Sequence, residues 1–159
     1  LILSKYPISD GVNYDLPRIE TVEDVYPRSM GVVKTEKEGK SFYFGVTHLS
    51  HVGNETNRIN QTTTIIEKTK GLDKPMILTG DFNALADSGP MKILYERFEI
   101  GCLNGNYGLT TGTPVPVKAI DFVLYTPDEG MTPKAYDVYY DAYVESDHFP
   151  VIATFSIND

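Results

Sequence analysis

The chain has 159 residues, 41% of them hydrophobic and 23% charged, which suits one domain around one core and excludes a low-complexity polymer. Fourteen basic residues against 22 acidic ones leave a net charge of −8, which counts against a protein that grips a long nucleic acid by phosphate neutralisation and favours a small phosphorylated or lipid-headgroup ligand. No apolar run approaches the ~20 residues of a membrane helix, no signal-peptide pattern opens the chain, and the lone Cys102 excludes an intramolecular disulfide and a thiolate zinc site.

Leu1-Ile2-Leu3 reads as a strand already in progress, so part of the domain is expected upstream. After a turn at Pro7, residues 10–27 show no sustained periodicity and read as a long surface excursion. Residues 30–35 and 41–47 are predicted strands. In the second, Phe42, Phe44 and Val46 alternate with Tyr43, Gly45 and Thr47. The charged segment 36–40, with Gly39, reads as their hairpin connection.

Residues 54–70 are a predicted helix, with Asn54 or Thr56 as its cap, Lys68 and Lys70 at the negative end of its dipole and Gly71 as its stop. Ile59, Thr62, Thr63 and Ile66 are expected on its packed face. Three consecutive threonines form helix poorly, so tertiary packing must hold it. Next, Met76-Ile77-Leu78 lacks polar alternation and suits a strand covered on both faces. Gly80 is expected to allow a sharp turn, and Asp81 and Asn83 to emerge on one side of an extended segment. A carboxylate and a carboxamide at the end of a buried strand is where α/β proteins place chemistry.

Ser88-Gly89-Pro90 starts a second predicted helix with the stripe Met91, Leu94, Tyr95 and Phe98, ended by Gly101. A glycine- and threonine-rich loop, 105–116, leads to predicted strands at 119–125, 136–140 and 151–155, with the polar loop 145–148 before the last. The order β-β-β-α-β-α-β-β-β describes a mixed α/β layer structure.

Thr47-His48-Leu49, Gly80-Asp81-Phe82-Asn83, Ile120-Asp121-Phe122 and Ser146-Asp147-His148 place polar groups at strand ends or in the loop before a strand. Together, and in this order, they resemble the endonuclease/exonuclease/phosphatase superfamily, which includes pancreatic-type deoxyribonucleases. Leu3-Ser4-Lys5-Tyr6-Pro7-Ile8 resembles a further motif of that family, so the likeness runs from Ile2 to Phe155. It implies a deoxyribonuclease-like four-layer α/β/β/α fold, a two-layered β-sandwich flanked by helices, here without its N-terminal portion.

The resemblance also implies roles, residue by residue. Asp81 matches the aspartate that orients or deprotonates the attacking water, and Asn83 the asparagine that bonds the phosphoryl group or that water. His148 matches a histidine on a non-bridging phosphate oxygen, Asp121 the carboxylate that fixes its ring, and His48 a second phosphate-facing histidine. Asp147 matches a ligand of the divalent metal, Mg²⁺ or Mn²⁺. The implied activity is metal-dependent hydrolysis of a phosphoester, a phosphodiester first, on a small molecule, lipid headgroup or nucleic acid.

Elementary chemistry asks for the same parts: a positioned water, a cation on the phosphoryl oxygens, and donors for the charge that shifts. His51 and Arg58 are further substrate-rim candidates. The family's remaining metal ligands, an asparagine and a glutamate, belong to its upstream half. Glu20, Glu23, Glu36 and Glu38 do not occupy that context. This stretch alone is therefore expected to be inactive, with an exposed edge open to self-association, and a silent phosphoester-binding module is the alternative reading. Plainer roles exist for several candidates: a structural histidine for His48, a turn pair for Asp81 and Asn83, an edge-strand surface for Asp121, a solvated loop for His51 and a helix-surface salt bridge for Arg58.

Overall fold

In the computed structural model, alternation and apolar runs become a six-stranded sheet; residues 1–19, 26–52, 54–127 and 129–157 are described. The elements are β1 (Ile8–Leu16), β2 (Arg28–Lys37), β3 (Lys40–His48), α1 (Thr56–Thr69), β4 (Met76–Asp81), α2 (Gly89–Leu94), β5 (Glu99–Ile100), β6 (Asp121–Tyr125), β7 (Met131–Val138) and β8 (Val151–Ile157). The large sheet runs β1-β2-β3-β4-β6-β5, and β7 and β8 form a second, two-stranded sheet. Among the described residues only β3 and β4 pair in parallel, and α1 makes the crossover between them.

One face of the large sheet is sealed. Met30 and Val32 of β2, Met76 and Leu78 of β4 and Phe122 and Leu124 of β6 meet Ile65 of α1 and Met91 and Leu94 of α2 in one buried cluster. Gly45 belongs to that packing, since a Cβ there would lie 2.6 Å from Met76 Cε. The opposite face carries Phe42, Phe44, Val46 and Ile77, all half-buried. The β7–β8 sheet lies against β6 through the Tyr125 and Phe155 rings, 5.4 Å apart, and through Val123 N–H donating to Tyr136 Oη at 3.3 Å. Helix layer, six-stranded sheet and second sheet are three of the layers the resemblance implies.

Several expectations need correction. The expected excursion from residue 10 is strand up to Leu16, and β1 pairs antiparallel with β2 along its length. A register shift between Ser9 and Val12, with Asp10 at φ +51°, breaks the alternation there, and most of the strand is exposed. Residues 2–4 are not a strand. The face of α1 that packs inward carries Arg58, Gln61, Thr62, Ile65 and Thr69 rather than Ile59 and Thr63, which are exposed. The threonine hydroxyls donate to carbonyls one turn back, for example Thr69 Oγ1 to Ile65 O at 2.8 Å, so they are tolerated on either face.

The second helix stops at Leu94, because residues 99–100 leave to pair with β6 as β5. Phe98 is still buried, whereas Tyr95 is exposed. The strand expected at 136–140 runs earlier, over Met131–Val138, which leaves Tyr139 and Tyr140 outside it. Glu36 is the next-to-last residue of β2 and Glu38 sits in the turn that follows it, while Glu20 and Glu23 lie outside the described residues.

Candidate active site

Strand register lines up three of the candidates. His48 is opposite Asp81 across the β3–β4 ladder, and Asp81 is opposite Asp121 across the β4–β6 ladder. The three side chains therefore leave adjacent strands at one end of the sheet. Gly80 makes this possible by close approach rather than by a turn. It lies inside β4 at φ +153°, and a Cβ there would be 2.0 Å from the carbonyl oxygen of Thr47.

Beyond β4 the chain turns. Asn83 adopts φ +47°, and its backbone N–H donates to Asp81 Oδ1 at 2.8 Å, an Asx turn. The Asn83 side chain donates from Nδ2 to Leu49 O at 3.1 Å, tying the strand end to the loop after His48. Asp81 Oδ2 faces His48 Nε2 at 3.4 Å. The local turn role and a place in the cluster are thus held by the same carboxylate, one oxygen for each.

Asp121 and His148 make the tighter pair. His148 Nδ1 donates to Asp121 Oδ2 at 2.8 Å, and the hydroxyl of Thr110, wholly buried, donates to the same oxygen at 2.6 Å. Thr110 Oγ1 in turn accepts from the backbone N–H groups of Ile120 and Asp121, each at 3.2 Å. The loop carrying Thr110 also sets the histidine, since Phe149 N–H donates to Thr110 O at 2.7 Å and Thr111 bridges His148. With Nδ1 committed, Nε2 is the imidazole nitrogen that remains for a ligand.

Burial raises the Asp121 carboxyl above its ordinary range; the Thr110 hydrogen bond and His148 pull it back, and the neighbouring Asp81 charge pushes it further up. His48 moves the other way. Burial lowers it first and the Arg28 charge next, against opposing pulls from Asp81 and Asp121.

One ligand atom each from Asp81, Asp121 and His148 falls within 4.8 Å of the other two, the one candidate cation cluster among the described residues. The two carboxylates suit a hard divalent cation, which takes oxygen ligands, and the imidazole nitrogen does not add to them. Asp147 lies outside this cluster: it is exposed, and its backbone oxygen accepts from Gly112 N–H at 3.2 Å. His51 is exposed at the rim, with Nδ1 3.2 Å from Arg28 Nη2. Arg58 is not on the helix surface. It is buried, and Nη1 donates to the carbonyls of Ser50 and Val52 at 3.1 and 2.6 Å, so it braces the loop that follows His48 and carries His51.

Two residues that sequence reasoning passed over complete this scaffold. Thr110 is one of several threonines in a glycine-rich loop, and no spacing singles it out. Gln61 is fully buried on α1, accepting from Ser50 N–H at 3.0 Å and donating to Pro17 O at 3.3 Å. Its signal was present as the second position of the 58, 61, 62, 65, 69 pattern, a face on which Ile65 alone is apolar.

A mixed α/β sheet with acids and histidines gathered at one rim is an arrangement that can position a cation and hydrogen-bond donors around one ligand. The chain matches the Endonuclease/Exonuclease/phosphatase family over residues 1–148, and it belongs to that family. Among solved structures, it is similar to an endonuclease/exonuclease/phosphatase from Bacteroides vulgatus at 23% identity and a TM-score of 0.81, covering 97% of this chain and 67% of that one. It is similar to a mannosyl-6-phosphatase of Bacteroides thetaiotaomicron at 21% identity and a TM-score of 0.78, covering 96% and 68%. It also resembles the human Nocturnin catalytic domain with bound sulfate anion, at 17% identity and 0.70, covering 96% and 60%. No curated protein matches it significantly in sequence. No helix among the described residues is long and apolar enough to cross a membrane.

Proposed function

We propose that the chain is the C-terminal part of a domain that hydrolyses a phosphodiester with Mg²⁺ or Mn²⁺, by in-line attack of water. The observation that carries this reading is the convergence of Asp81, Asp121 and His148 within 4.8 Å from three separate segments. A bound divalent cation would draw on Asp81 and Asp121, with Asp147 as a further candidate donor, and would supply charge neutralisation on the phosphoryl oxygens.

This chain's own residues do the rest. Asp81, held by the Asn83 N–H, orients the attacking water or accepts its proton. Asn83 anchors the adjoining loop and offers its amide to the phosphoryl group. His148 donates from Nε2 to a non-bridging oxygen while Asp121 and Thr110 hold the ring. His48, half exposed at the same rim, faces the substrate. The matched structures have a phosphatase among them, so a monoester is the competing substrate class.

The test is turnover of bis(4-nitrophenyl) phosphate by the full-length protein in Mg²⁺ or Mn²⁺. Hydrolysis abolished by EDTA and restored by the cation is expected. Cleavage of 4-nitrophenyl phosphate alone would turn the reading to a monoesterase, and turnover of neither ester would end it.

A further inference from the structure

Arg28 opens β2 at the sheet end where His48 closes β3, since Met30 pairs with Thr47. Arg28, Thr47 and His48 line one open cavity of about 550 Å³. The guanidinium is always charged and can only donate. Among the described residues no carboxylate forms an ion pair with it; the partner of Nη2 is Nδ1 of His51, at 3.2 Å. Nε is buried without a hydrogen-bond partner. The Tyr26 ring backs His51 at a centroid distance of 6.1 Å and a tilt of 48°.

An arginine beside a candidate catalytic histidine, without an acid to neutralise it, stands out in a chain of net charge −8. Its fork matches the oxygens of phosphate far better than it matches a neutral imidazole. Its field already reaches the site, where it is the strongest charge acting on His48. Resting on the hydrolase reading above, we infer that Arg28 and His51 form a subsite for a second anionic oxygen group of the substrate, a second phosphate, beside the phosphoryl group under attack. An incoming phosphate displaces His51 from Nη2, takes the guanidinium fork and accepts a further hydrogen bond from the freed ring.

The test is calorimetric titration of the full-length protein with pyrophosphate and with inorganic phosphate, in metal-free buffer. The wild type is expected to bind pyrophosphate at least ~10-fold more tightly than phosphate, and Arg28→Met to erase that preference. Arg28→Lys, which keeps the charge without the fork, should retain part of it. Thermal unfolding of each variant confirms that it is folded. An unchanged preference in Arg28→Met, or equal affinities in the wild type, overturns the subsite. Turnover of both nitrophenyl esters is followed in the same preparations after Mg²⁺ is restored: a wild type that turns over neither ester yet shows the Arg28-dependent preference refutes the hydrolase reading and leaves the anion subsite standing.

Discussion

The rim holds two Asp–His pairs, and they are built differently. Asp121 and His148 meet at 2.8 Å with side-chain exposures of 19% and 28%, and a buried threonine hydroxyl holds the shared oxygen. Asp81 and His48 meet at 3.4 Å, and the His48 side chain is 56% exposed. The tight pair is supported from behind by two backbone N–H groups acting through Thr110, so its ring orientation is set before a ligand arrives. The loose pair has its aspartate divided between an Asx turn and the histidine. A supported pair serves as a fixed donor. An open pair responds to what binds.

The largest expected effect comes from breaking the supported pair. Asp121→Asn would offer an amide N–H to a nitrogen that already carries a proton, forcing the other tautomer or a rotated ring. In the full-length protein kcat for bis(4-nitrophenyl) phosphate should fall about 10²–10⁴-fold, as should that of His148→Ala. The double variant should be scarcely worse than either single one, because the two residues act as a unit. A loss equal to the product of the single losses would separate them.

Thr110 sharpens the same contrast at smaller scale. Thr110→Val keeps the shape but leaves two backbone N–H groups and one carboxylate oxygen without their shared partner. It should cost about 1–3 kcal/mol of stability, read as a lower urea midpoint at unchanged slope. Activity should fall by less than in Asp121→Asn, and Thr110→Ser, which restores the hydroxyl, should recover both. A Thr110→Val variant as stable as the wild type would mean that the hydroxyl does not support the pair.

The two pairs also differ in how far they could be read from sequence. Strand ends at His48, Asp81 and Asp121 follow apolar runs that pattern reasoning finds, and their side-by-side register follows once β3, β4 and β6 are neighbours. The Gly80 requirement was visible as a glycine, but its cause, contact with Thr47, is a long-range fact. Thr110 was not legible because its role depends on a loop closing over a strand eleven residues later. β1 escaped because a register shift near Asp10 destroys the period-2 signal in an exposed strand. The α1 face, expected at Ile59, Thr62, Thr63 and Ile66, is rotated so that Thr62 packs together with Ile65, Arg58 and Gln61, and the last two are held by hydrogen bonds to loops that no periodicity shows. Patterning finds elements held by the hydrophobic effect. It is blind to those held by satisfied polar groups.

The smallest expected effect distinguishes the pairs by the sign of their pH response. The folded His48 pKa lies below its ordinary 6.5, so the folded state resists protonation there. Stability from this residue is therefore complete above pH 6.5 and is lost as pH falls through that value toward the folded pKa. The folded Asp121 pKa is raised above 3.8, and its contribution runs in the opposite sense, complete below pH 3.8 and lost as pH rises through the folded value. Thermal unfolding of the wild type and of His48→Gln, from about pH 8 to about pH 5, isolates the first of these. The wild type should lose more of its melting temperature over that interval than the variant does. Parallel losses would show that the ring is as free to protonate in the fold as in the unfolded chain, and that neither its burial nor Arg28 acts on it.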